Sequence, residues 1–173
     1  MRKKTMRNVL ARRVRGAGVG SARLQSGLSL IEVLVAVVVL GIGLLGTAAL
    51  QATALRGGQS SYESSMAVVQ TNSILEAIRA NAGNAGSYNI AQQCAMPATP
   101  AANAPRVQHD IHRWLTDLKT SVGGATTAAA IAADATTCGT ISGCPGDCVI
   151  TVQWDDQRAG GGASRPVVTR TRI

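Results

Sequence analysis

The sequence predicts an α+β fold, one long apolar N-terminal helix packed on a small antiparallel sheet. Three observations carry this expectation. Residues 33–55 contain no charged side chain. No proline occurs before Pro97, so nothing obligatory breaks a helix from about 28 to 80. The C-terminal third alternates apolar and polar residues at the period of a strand.

The chain begins with a basic leader. Arg2, Lys3, Lys4, Arg7, Arg12, Arg13, Arg15 and Arg23 precede Gly27, and no acidic residue does. The net charge of +8 is therefore a property of residues 1–27, since nine basic and nine acidic residues follow. A neutral remainder gives no electrostatic advantage on phosphate backbones, so no nucleic-acid partner is expected. The leader also lacks interleaved aromatic residues to stack on bases. Basic residues before a first apolar segment hold that end in the cytoplasm.

The uncharged run of 23 residues is long enough to cross a bilayer core, which takes about 20 helical residues at 1.5 Å rise. Glu32 stands just before it, and a carboxylate near lipid is costly unless partnered. An exported protein cut at Ala52-Thr53-Ala54 is an alternative, but its apolar region would exceed the usual ~7–15 residues and follow a carboxylate. Residues 28–55 are thus assigned to a membrane or filament-core segment. Residues 56–81 continue the helix amphipathically, with Met66, Val69, Ile74 and Ile78, and Val68 and Leu75 beside them, as the stripe facing a head. Asn and Gly residues at 81–86 supply the stop. The whole helix would be roughly 80 Å long.

The head is assigned to 82–173. Residues 96–105, rich in Ala and Pro, read as a loop. Val107, Ile111, Trp114, Leu115, Leu118 and Val122 fall at helical spacing, so a short helix is expected at about 107–122. Residues 123–137 are low in complexity and carry no clear pattern. Residues 148–154 alternate as a half-buried strand, 155–164 form a turn, and 166–173 a closing strand. Two strands make a marginal sheet, so a third is expected near 136–142 or in the loop after the first helix.

Cys94, Cys138, Cys144 and Cys148 all follow the apolar segment and suit disulfides on an oxidising side of the membrane. Four cysteines allow three pairings, and the sequence leaves all open. Their spacing fits no common zinc pattern. His109 and His112 read as a polar helix face, and Asp155-Asp156 as turn formers rather than calcium ligands. No metal, cofactor or catalytic group is expected. Ser, His and Asp occur without a nucleophile elbow, and Gly160-Gly161-Gly162 lacks the lysine of a phosphate loop, so the sequence gives no case for an enzyme.

The segment Gly27-Leu28-Ser29-Leu30-Ile31-Glu32-Val33-Leu34-Val35-Ala36 resembles the processing motif of type IV pilins and type II secretion pseudopilins. The continuation Leu40-Gly41-Ile42-Gly43-Leu44-Leu45-Gly46 and Leu50-Gln51 is similar to the PilV group of minor pilins, the pilus modification proteins. Weaker likenesses occur at 114–118 and 149–155. The resemblance implies a pilin-like fold, removal of residues 1–27 by a prepilin peptidase after Gly27, and N-methylation of Leu28. Glycine before the cut keeps the backbone accessible to an active site. The family most often has Phe where this chain has Leu28, a residue the peptidase is expected to accept. Glu32 becomes the fifth mature residue, implied to offset the amino-terminal charge of a neighbouring subunit, since buried charges must be paired.

The implied partners are prepilin peptidase, other minor pilins, the major pilin, and inner-membrane lipid before assembly. The implied localisation is a single-pass inner-membrane protein with a cytoplasmic N-terminus and periplasmic head, then the fibre at the cell surface. The expected function is a minor pilin in pilus assembly or initiation, supporting adhesion or motility. Alternatives are a minor pseudopilin of a type II secretion system and a pilin-like binding module for DNA or a host surface.

Overall fold

The computed structural model describes residues 27–173, so the basic residues of the leader lie outside the described residues. Residues 27–42 and Gly43–Ile173 form two compact units. The first holds a non-helical lead-in and the opening turns of helix α1 (Leu30–Ala80). The helix starts two residues later than the sequence predicts. The Ser29 carbonyl receives the amides of Glu32 at 3.0 Å and Val33 at 3.2 Å, and so closes the first turn.

The second unit contains the rest of α1 and the head. After α1 the chain tightens into a 3-10 segment at Ala82–Tyr88, followed by β1 (Ile90–Gln93), α2 (Arg106–Ser121) and α3 (Ala128–Ala133). Then come β2 (Cys138–Ser142), β3 (Asp147–Trp154), a 3-10 turn at Gln157–Ala159 and β4 (Arg165–Arg172). The four strands form one antiparallel sheet in chain order. A strand is present in both places where one was expected, near 136–142 and after the first helix. The stop of α1 uses no left-handed glycine: Gly83 and Gly86 lack positive φ, and the Ile78 carbonyl instead receives Asn81 N at 3.1 Å. Residues 123–137, patternless in sequence, hold α3, whose N-terminus is capped by the Thr127 hydroxyl accepting from Ala130 N.

The sheet has one inner face. Cys148, Ile150, Val152 and Trp154 of β3 are buried, while Val149, Thr151 and Gln153 are only partly covered. Gly139 of β2 lies opposite Val152, and a Cβ there would meet the Trp114 ring at 2.5 Å. Thr169 of β4 lies opposite Ile150 and its hydroxyl bonds Thr71 of α1 at 3.2 Å. Both α1 and α2 therefore pack on the same face, α2 over β2 and α1 over β3 and β4. Trp114 joins them by donating its Nε1–H to the Gln70 carbonyl of α1 at 3.0 Å.

The face that α1 turns to this core differs from the expected stripe. Ile74, Leu75 and Ile78 are buried as predicted, and Met66 is partly covered. Val68 and Val69 are exposed, however, and Glu63, Ala67, Gln70 and Thr71 are buried in their stead. The buried set falls at 63, 67, 70, 71, 74, 75 and 78, a helical stripe in which polar residues are admitted because the head supplies partners.

Candidate functional site

Gly27, Leu28 and Ser29 form an exposed, non-helical lead-in to α1, and Glu32 lies exposed in its first turn. A Cβ on Gly27 would meet nothing within 4 Å, so the described fold does not itself demand glycine there. Nothing among the described residues pairs with Glu32 by a side-chain hydrogen bond or salt bridge. Its position in the first turn favours an anion through the helix dipole.

Residues 33–55 lie wholly within α1 and expose their apolar side chains, with Ile42 67% and Leu45 74% accessible. The few hydroxyls in this run turn inward along the helix. Thr47 Oγ1 donates to the Leu44 carbonyl at 2.9 Å and Thr53 Oγ1 to the Ala49 carbonyl at 3.1 Å. These bonds leave fewer polar groups to be desolvated in an apolar surround. Gly41, Gly43 and Gly46 also have open space around their Cα atoms, which leaves room for close approach by a second helix.

In the head the structure pairs Cys94 with Cys138 and Cys144 with Cys148, choosing one of the three pairings the sequence allows. The first bond joins the end of β1 to β2, and the second closes the β2–β3 hairpin. His109 and His112 are half-buried on α2, and no group of three metal-ligating side chains occurs among the described residues. Asp155 is a turn former, accepting from Gln157 N at 2.9 Å. Asp156 departs from that reading. It is fully buried, and its Oδ2 accepts from Ser60 of α1 at 2.8 Å and from Arg165 at 2.6 Å. Burial alone would push its carboxyl up, but the hydrogen bonds from Arg165 and Ser60, with the Arg165 charge, hold it below the ordinary carboxylate range.

Two further buried charged residues escaped the sequence reading. Glu63 accepts from Trp154 Nε1 at 3.0 Å and from Gln59 Nε2 at 2.8 Å. Lys119 is fully buried on α2, with Nζ donating to the carbonyls of Cys94 at 2.7 Å, Thr137 at 3.2 Å, and Asp134. Burial depresses its ammonium, and the Asp134 carboxylate 3.8 Å away works the other way. A signal for both existed. Glu63 is in phase with Ala67, Ile74 and Ile78, and Lys119 with Leu115, Leu118 and Val122, so each stands on a face otherwise meant for the core. These groups join head elements to each other and to α1.

The family model described as the prokaryotic N-terminal methylation motif matches residues 22–48. No curated protein and no solved structure matches the chain. The matched segment holds Gly27, Leu28, Glu32 and the first part of the exposed apolar helix, which together make a type IV pilin-like prepilin signal. This motif, the long helix and the disulfide-bonded sheet head support a type IV pilin-like or pseudopilin protein anchored in a membrane. A motif of this kind implies processing by prepilin peptidase in the context of pilus-type assembly.

Proposed function

We propose that this chain is a minor pilin of a type IV pilus, cut by prepilin peptidase between Gly27 and Leu28 and methylated on Leu28. Its role is structural rather than enzymatic: it waits in the inner membrane and enters the fibre with other minor pilins and the major pilin, supporting assembly, adhesion or motility. The observation that carries this reading is the 33–55 stretch, uncharged, helical and exposed throughout, directly after a methylation motif. Such a surface needs lipid or other subunits to cover it. The eight basic residues before Gly27 support a cytoplasmic N-terminus, and two disulfides suit a head on the oxidising side. Likeness of the 40–46 segment to the PilV group supports the pilus over a secretion pseudopilus.

The test is mass spectrometry of the mature protein from native membranes and from sheared fibres. An N-methylated Leu28 in both fractions is the expected result. Methylated protein confined to membranes and co-purifying with a type II secretion machine would move the assignment to a minor pseudopilin. A terminus at Leu55 would overturn both.

A further inference from the structure

The strands of the head run alongside α1. Ile150 pairs with Thr169, which bonds Thr71 of the helix, while Trp154 bonds Glu63 and Asp156 bonds Ser60. Each step from Ile150 to Asp156 is thus a step along α1 towards Leu55. The turn at 157–164 closes that end of the head, and the chain returns with Arg165 bonded to Ser60 and Asp156. Ser60 stands about 7.5 Å along the helix axis from Leu55, the last residue of the uncharged run. A headgroup layer is about 5–7 Å deep on each side of a bilayer core. With residues 33–55 in the core, this end of the head rests on the headgroups.

The two ends of β4 differ in charge. At the far end Arg172 and Asp147 face each other with both side chains exposed, 82% and 86%. At the end near Leu55 the side chains of Arg158 and Arg165 are 61% and 44% exposed, while their carboxylate partners, Glu63 and Asp156, are buried. Arg56, the first charge after the run, is exposed and has no ion pair among the described residues. Residues 157–165 include no carboxylate, and Asp155 beside them accepts from Gln157 N. Three guanidinium groups therefore reach the surface where two of the nearest carboxylates do not. Arg158 is also held in place: its Nη2 donates to the Gly123 carbonyl at 3.2 Å, with Gly124 against Nη1.

We infer that this end of the head, through Arg56, Arg158 and Arg165, binds the phosphates of anionic phospholipids in the leaflet that α1 leaves. A guanidinium suits phosphate because two parallel N–H donors match two of its oxygens. An anionic leaflet favours each arginine held at its surface. Between Arg158 and Arg165 the turn carries only Ala, Gly and Ser, so no bulky side chain holds the surface off the headgroups. The inference rests on the proposed function for the state before assembly, and names the lipid that the waiting subunit holds. Entry into a fibre then requires these contacts to be released.

The experiment uses the chain purified from native membranes, with a fluorophore on Ser164→Cys, in bilayers of phosphatidylcholine with phosphatidylglycerol as the minor lipid. All four native cysteines are paired, so the added thiol is the only free one. Quenching by spin-labelled phosphatidylglycerol is compared with quenching by the same amount of spin-labelled phosphatidylcholine. The anionic lipid is expected to quench preferentially, and Arg56→Gln and Arg158→Gln are each expected to lower the preference about fivefold. Arg56 is exposed and unpaired, so its variant keeps the packing of the head even where Arg158→Gln loosens Glu63. Arg165 stays in place because it neutralises the buried Asp156. Arg172→Gln, at the far end of β4, is expected to keep the parental preference. Equal quenching by the two lipids, or a preference unchanged in both Arg56→Gln and Arg158→Gln, overturns the inference and leaves the proposed function standing. Displacement of the anionic lipid by inorganic phosphate at unchanged ionic strength would reveal a site for free phosphate and overturns it too. A native-membrane protein that begins at Leu55 overturns the proposed function, and the inference with it.

Discussion

The indole of Trp154 donates to Glu63 Oε2 at 3.0 Å, and this buried bond ties the last residue of β3 to the middle of α1. Glu63 Oε1 is held in turn by Gln59 at 2.8 Å, with Arg158 at 3.7 Å. A carboxylate is tolerated on the core face because its oxygens meet donors from two elements.

Replacing Glu63 by Ala strands the Trp154 N–H in the core, and the expected cost is about 1–3 kcal/mol. Glu63→Gln keeps an acceptor and should cost less. Urea unfolding of the detergent-solubilised chain, followed by tryptophan fluorescence, measures both. Equal midpoints for Glu63→Ala and the parent would show that the bond contributes nothing.

Asp156 gives the head a pH dependence of known sign. Its carboxyl is held below the ordinary range in the fold, against about 3.9 in an unfolded chain. Its stabilising contribution is complete above that unfolded value and is lost as the pH falls through the lower native one. Asp156→Asn should therefore lower stability near pH 7 by about 1–3 kcal/mol and flatten the loss below pH 4. Some slope will remain, because Asp134 is also depressed: burial opposes this, and the hydroxyls and amides of Thr137 and Thr136 outweigh it. The check is unfolding free energy against pH for both chains.

The strongly periodic elements were legible in the sequence. Alternation marked Cys148, Ile150, Val152 and Trp154 as one face of β3, and helical spacing placed α2 within a residue of its observed start at Arg106 and end at Ser121. Hydrophobicity is a poor guide on α1, where Val68 and Val69 fit the apolar stripe and yet lie outward. The face was decided by partners far along the chain, Trp154 for Glu63 and Thr169 for Thr71, which no local pattern encodes. The same holds for Lys119, whose carbonyl acceptors come from the chain around Cys94, Asp134 and Thr137. Cysteine pairing depends on which strands adjoin. Once β1 pairs with β2, Cys94 is brought to Cys138. At the motif the position is reversed: Gly27 and Glu32 stood out in sequence, and the described fold gives neither a partner.

The two disulfides should differ in weight. Cys94–Cys138 spans 44 residues and Cys144–Cys148 only 4. On loop-closure entropy the longer link is worth about 4 kcal/mol and the shorter about 2 kcal/mol. Cys94→Ala with Cys138→Ala should shift the denaturant midpoint further than Cys144→Ala with Cys148→Ala. The difference should be enhanced because Cys94 also offers its carbonyl to Lys119. Equal shifts would place the short link's role in packing, since both of its cysteines are buried in the core.

Gly27 and Glu32 should separate processing from assembly. Both positions are exposed, so Gly27→Val and Glu32→Ala are expected to leave the unfolding midpoint of the head unchanged. Gly27→Val places a branched side chain at the proposed cut and should leave an intact leader by mass spectrometry. Glu32→Ala removes a carboxylate whose cost near lipid argues for a charged partner in the assembled state. It should insert in the membrane and be cut after Gly27, yet reach sheared fibres poorly. Parental recovery of Glu32→Ala in fibres would show that its charge pairs with nothing there. An uncut Glu32→Ala would instead place the carboxylate in recognition by the peptidase, and the two variants would then report the same step.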